Sequence, residues 1–236
     1  MSNLENGKDM VLEMLRSKST QKKALGANLV DVFARFRRIL DEIEQEYLAD
    51  LAKDELPPRF SSKDNSPLET QLIFGGDILY FTQHTNIFTF EQTHSIHQTD
   101  YVREDPSRAY CGMIQIHNFL YDSIHLNRRM DIGYLVGRIF INKDLHFFVE
   151  GKKQLGFLYN DFDGAELNDV YIRGIIEAAM VYAIDFDLLV PPYQKVAKVS
   201  VDQKNHQQSN QALATGKSMG FKFQDEQQTV KAFKEK

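Results

Sequence analysis

Histidines, cysteines and carboxylates do most of the chemistry available to side chains near neutral pH, and their spacing gives the first clue. Six of the seven histidines fall between positions 84 and 146: His84, His94, His97, His117, His125 and His146. His94 and His97 stand three apart, which on a helix sets both imidazoles on one face, and Asp100 and Glu104 follow. His84, His94 and His97 are therefore the candidate ligands for zinc or iron, which needs three or four donors converging at about 2.0–2.2 Å. The local motif is only H-S-I-H, without the glutamate of an H-E-x-x-H metalloprotease helix. Ordinary surface or core histidines are the simpler expectation, and a metal-dependent hydrolase is the rival. Cys111, the sole cysteine, lies among apolar neighbours and reads as a buried, inert thiol.

Three groups of carboxylates come next. Gly75-Gly76-Asp77 resembles the Gly-Gly-Asp hairpin of nucleotide cyclases and related palm domains, where the carboxylate holds a metal on a triphosphate. No second acid follows Asp77, and two-metal chemistry needs paired carboxylates, so a plain hairpin turn is expected. Asp161, Asp163, Glu166 and Asp169 lie in NDFDGAELND, where Gly164 comes two positions early for a calcium loop; a turn leading into a helix cap is expected. Asp185 and Asp187 sit at the C-terminal end of the last expected helix, where the macrodipole disfavours negative charge. They are candidate contacts for a basic partner, for example the Lys-rich tail or Arg128-Arg129. The chain carries no P-loop, G-x-G-x-x-G or C-x-x-C.

The elements that must position these groups are legible in outline. A short apolar patch (Met10, Val11, Met14, Leu15) precedes Ser19 and Thr20, either of which can cap a helix. Leu25, Leu29, Val32, Phe36, Ile39, Ile43, Tyr47 and Leu51 then recur every three or four residues until Leu56-Pro57-Pro58. The spacing predicts a helix over about 20–55, within an N-terminal segment 1–56. At about 50 Å it exceeds the span of a small domain. Leu29, Val32, Phe36 and Ile43 are thus candidate partner-binding residues, in a stripe borderline for a coiled coil. Residues 57–68 read as a Pro/Ser linker, 69–192 as an α+β domain, and 193–236 as a charged Gln/Lys-rich tail.

Within the domain, strands at 72–74 and 77–81 flank the Gly75-Gly76 turn, and Ile87–Phe90 offers a further strand. Asp105-Pro106 starts a helix over 106–126, with an alternating strand over 111–119 as the competing reading. Strands at 134–141, 145–149 and 155–159 and a helix at 168–186 complete an order α-β-β-α-β-β-β-α, with an antiparallel sheet of about five strands packed by helices. At the level of topology this order resembles the profilin-like layout of roadblock, longin and, with variations, GAF sensor domains. With a strand at 86–91 it resembles the type III secretion chaperones instead. Both resemblances imply binding of proteins or small ligands, and self-association.

The strands at 134–149 are apolar on both faces, whereas an antiparallel strand with one wet face alternates. Both faces need cover, from the long helix or from a second copy. The net charge is −5, with +4 on the segment from Pro191 and −9 on the rest, which gives no general attraction to nucleic acid or to an anionic membrane. The opening MSNLENGKDM lacks the regions of a signal peptide, no stretch is long enough to span a bilayer, and one cysteine suits a reducing compartment. The expectation is a cytoplasmic, non-catalytic interaction, scaffold or chaperone-like module without a cofactor, binding a protein partner or itself as a homodimer. A metal-dependent enzyme or a small-ligand sensor is the alternative.

Overall fold

The apolar stripe of the N-terminal region does form a helix, and in the computed structural model it runs further than its sequence signal. The structure describes residues 2–129, 131–188, 190 and 192–201. Helix α1 (Ser2–Met14) passes through a π-helical turn (Leu15–Ser19) into α2 (Thr20–Leu51). The expected start near residue 20 therefore marks the point where packing begins. Leu25, Leu29, Val32, Phe33, Phe36, Ile39, Leu40 and Ile43 are buried on one side of α2, at helical period.

Six strands follow: β1 (Phe60–Ser66), β2 (Glu69–Phe74), β3 (Asp77–Gln83), β4 (Cys111–Leu120), β5 (Tyr134–Asn142) and β6 (Phe147–Gly151). They form one antiparallel meander in which each strand lies beside its neighbour in sequence. The class is α+β, with six strands where about five were expected. Two of the six were not expected, β4 and β1, the latter inside the segment read as a linker, and one expected strand, 155–159, is absent. Phe60 anchors β1 in the core, and Glu44 on α2 accepts from the Ser62 backbone N–H (3.0 Å) and hydroxyl (2.5 Å). An edge strand whose open side is taken up by helix side chains is shielded from pairing with other chains.

Two further expectations are corrected. The segment 106–126 is not a helix. Asp105 does cap, its carboxylate accepting from the Ser107 N–H at 2.9 Å, and Pro106 does sit at the first helical position, but the helix is a single 3-10 turn, Pro106–Ala109. The alternating run after it enters the sheet as β4, between β3 and β5. The segment 155–159 is not a strand either. Lys153 takes a left-handed φ of 46°, the chain doubles back as α5 (Gln154–Leu158), and Leu155 tucks into the core. The edge amide of Val149 is filled by the Tyr159 carbonyl at 2.7 Å. Ile87–Phe90 contributes one isolated bridge, Phe88 to Cys111.

Helices α3 (Asp100–Glu104), α4 (Tyr121–His125), α6 (Asp169–Ile184) and α7 (Tyr193–Val196) complete the described chain. α2 and α6 lie side by side over one face of the sheet. Ile172, Ile175, Ile176 and Ala179 join the α2 stripe against Leu72, Phe81, Ile114, Ile139 and Val149. Gly112 is where α2 meets β4, since a Cβ there would stand 2.6 Å from Leu29 Cδ2. Asp169 at the start of α6 pairs with Arg35 (2.7 Å) and Arg38 (2.5 Å) of α2, whose hydrogen bonds hold its carboxyl below the usual range. The Gly75-Gly76 hairpin forms as expected, with Gly75 at φ 55°. Most of the expected tail, residues 202–236, lies outside the described residues. Among the described residues no helix is long and apolar enough to cross a membrane.

Candidate functional site

Among the described residues, no long helix lies on the opposite face of the sheet. Side chains alternate along a strand, so β5 and β6 place on this face the cross-strand pairs Arg138–Glu150 and Phe140–Phe148. The two phenylalanines stack at 5.0 Å, Phe90 packs edge-on to Phe140 at 5.1 Å, and Phe162 packs edge-on to Phe148 at 5.5 Å. These rings form the floor of a groove.

Its walls are two short turns. One is the 3-10 turn Ser95–Gln98, anchored by buried Ile96 and capped by His94, whose Nδ1 accepts from the Ile96 N–H at 3.3 Å. The His94 ring stacks on Phe90 at 4.6 Å. The other wall is 160–163, where Asp161 Oδ1 accepts from the Gly164 N–H at 3.0 Å. The groove has two adjoining lobes of about 280 and 420 Å³ that share His94, Ser95, Phe148 and Asn160.

The lobes differ in charge. In the larger, the Arg138 guanidinium lies 5.4 Å from the Phe140 ring centroid and donates from Nε to Glu150 at 2.8 Å. The smaller is lined by Asp161 and Asp163 together with Phe148, Phe162, Ile96 and His94, and neither Lys nor Arg lines it. A ring face carries the negative end of the aromatic quadrupole, so carboxylates beside phenyl rings make a site for a cation. The larger lobe shows that arrangement filled from within by Arg138; in the smaller, Phe148 and Phe162, 8 and 6% exposed, line the lobe beside Asp161 and Asp163.

A polar frame holds the walls in place. Asn142 is fully buried: its Nδ2 donates to the Tyr101 hydroxyl (3.0 Å) and the Arg108 carbonyl (3.4 Å), and its Oδ1 accepts from the N–H groups of Asp144 (2.9 Å) and His146 (3.0 Å). Tyr101 is sandwiched between His146, stacked at 4.4 Å, and the Arg108 guanidinium at 4.2 Å. Burial pushes its hydroxyl up to about 12. His146 Nδ1 meets the Phe162 carbonyl at 2.9 Å, joining the frame to the acidic wall. Lys143 donates to Asp105 at 2.6 Å and is the main reason that carboxyl drops to about 2.

The residues singled out from sequence go to different places. His84 accepts from the Asn86 N–H at 3.0 Å and packs edge-on to Phe88, His94 caps a turn, and His97 Nε2 meets the Phe90 carbonyl at 3.1 Å. The candidate metal set His84, His94 and His97 is not brought together: His94 is the extended N-cap of the turn rather than a helical residue, and a ring nitrogen of each of the three meets a backbone group nearby. Among the described residues no three His, Cys, Asp or Glu side chains are placed to hold a metal ion.

Leu29, Val32, Phe36 and Ile43, the candidate partner-binding residues, are buried in the chain's own core beneath α2. Asp185 caps the C-terminal end of α6 and pairs with Lys153 at 2.8 Å, which lowers its carboxyl; Asp187 lies beyond the helix end. Asp77 of the Gly-Gly-Asp turn accepts from buried Asn118 at 3.1 Å. Cys111 is buried, and burial pushes its thiol up. Sequence reasoning missed the groove itself. Its one advance signal was the double-sided apolarity of Phe140 and Phe148. Comparison with protein-family models, with curated proteins and with solved structures gives no match to this chain, and the two topological resemblances lapse with the 106–126 helix they required.

Proposed function

We propose that this chain is a non-catalytic protein-interaction module whose aromatic groove holds a Lys or Arg side chain presented by another protein. The observation that carries this reading is the smaller lobe, with a Phe148–Phe162 floor beside the carboxylates of Asp161 and Asp163. Arg138 on Phe140, with Glu150 at its edge, is the pattern that a guest guanidinium would repeat. A cation on a desolvated ring face contributes about 0.5–2 kcal/mol, and a partly screened carboxylate adds up to about 1 kcal/mol. One such contact gives selectivity rather than tight binding, so the partner supplies further contacts along the groove. We place the module in the cytoplasm, a reading supported by the lone, buried cysteine.

The test is fluorescence anisotropy of the full chain with a labelled arginine-rich peptide and its citrulline counterpart. Saturable binding to the arginine peptide is expected, weakened by rising salt and by roughly tenfold in Asp161→Asn/Asp163→Asn. Equal binding of both peptides would transfer the site to a neutral apolar ligand, and an unchanged affinity in the double variant would remove the acidic wall from the account.

A further inference from the structure

Three histidines stand at the groove, and they meet the backbone in two opposite senses. His97 Nε2 donates to the Phe90 carbonyl at 3.1 Å, and His146 Nδ1 donates to the Phe162 carbonyl at 2.9 Å. A carbonyl only accepts, so both rings can take up a second proton without losing that bond. His94 is the reverse case. It is the N-cap of the turn Ser95–Gln98, and its Nδ1 accepts from the Ile96 N–H at 3.3 Å. A protonated nitrogen cannot accept, so a proton reaches Nδ1 only by displacing the cap. His84 also accepts, from the Asn86 N–H, but it packs on Phe88 and is not among the residues lining the groove.

His94 is exposed and lines both lobes, its ring stacked on Phe90. The charged groups that share those lobes with it are Asp161 and Asp163 in the smaller and the Arg138–Glu150 pair in the larger. We infer that the groove is a proton-gated cation site, in which His94 takes up a proton as the guest cation leaves. The gate rests on the reading of the groove as a site for a Lys or Arg side chain. Two consequences of protonation act in the same direction. The imidazolium brings a positive charge to a lobe that neither Lys nor Arg lines, and so offsets part of the attraction of its two carboxylates. It also frees the Ile96 N–H and loosens the turn that forms one wall. Imidazoles change charge between about pH 5 and 8, whereas carboxylates do so near pH 4 and arginine stays charged throughout. By linkage, a bound guest holds the proton off His94 by the same factor as the proton weakens the guest.

Fluorescence anisotropy of the full chain with the labelled arginine-rich peptide, at about pH 8 and about pH 5.5, tests the gate. The wild type is expected to bind roughly fivefold more weakly at the lower pH, solvent screening of the exposed ring keeping the effect to that size. His94→Asn keeps a capping oxygen for the Ile96 N–H but does not titrate, so the ratio of its two affinities should fall to about one, whatever their absolute level. His97→Gln keeps the donor to the Phe90 carbonyl and should retain the wild-type ratio. A peptide-free NMR titration reads the same event, with the Ile96 amide resonance moving as the His94 imidazole titrates. An Ile96 amide that stays in place through that titration, or a pH ratio that persists in His94→Asn, would overturn the gate while leaving the cation site standing. Failure of the peptide to bind at either pH, in every one of these chains, would remove the cation site and the gate together.

Discussion

On one face of the sheet, α2 and α6 lay continuous aliphatic stripes over Leu72, Ile114, Ile139 and Val149. On the other, Phe90, Phe140, Phe148 and Phe162 are covered by single turns held by one or two anchors each, such as Ile96 and Val102. A helix repeats its apolar contact every three or four residues and closes a surface evenly. A turn of four residues reaches the sheet at one point and leaves space on either side, and large flat rings fill that space only in part. The difference in cover separates an evenly closed face from one that keeps an open groove.

The contrast can be broken from either side, and the largest effect belongs to the helix-covered face. Phe36 is fully buried there, and Phe36→Ala should cost about 3–5 kcal/mol in chemical denaturation. Asn142→Ala should come next, at about 2–4 kcal/mol, because it strips partners from Tyr101 and from the Asp144 and His146 amides. Hydrogen exchange should then rise over 94–109 more than in the strands beneath α2. Phe90 is only half-buried, so Phe90→Ala should cost about 1–2 kcal/mol while weakening peptide binding along the larger lobe that it lines.

The smallest effect belongs to Asp105 and Lys143. Lys143 holds the Asp105 carboxyl down at about 2, against an unfolded value near 3.9. The pair therefore stabilises the fold above about pH 4, and its contribution fades as the pH falls toward 2, because the unfolded chain takes up the proton first. Solvent screening keeps it modest, below about 1 kcal/mol. Lys143→Met should flatten that part of the stability profile between pH 4 and 2, which acid titration of the melting curve would show.

How much was legible in sequence follows the range of the interactions. α2 was legible because its stripe repeats locally, and the β2–β3 hairpin because Gly75-Gly76 is a local turn signal. Residues 109, 113, 116, 120 and 124 satisfy helical period and 111–119 satisfies strand period, so a true cap at Asp105 was extended too far. What decided it was pairing with β3 and β5, which no local pattern reports. The groove joins Phe90 and His94 to side chains near 138–150 and 160–163, and only tertiary packing brings those three segments together. The histidine cluster did mark the right region, because His94 lines the groove, but it suggested a ligand set where the structure has a ring stacked on Phe90.

The most direct test of the groove as a cation site is aromatic NMR of the full chain, phenylalanine-labelled, titrated with Nα-acetyl-arginine amide and separately with the citrulline analogue. The account expects saturable shifts of the Phe148 and Phe162 rings with arginine and little response to citrulline, the two ligands differing chiefly in charge. Matching responses to both, or none at these rings, would contradict it.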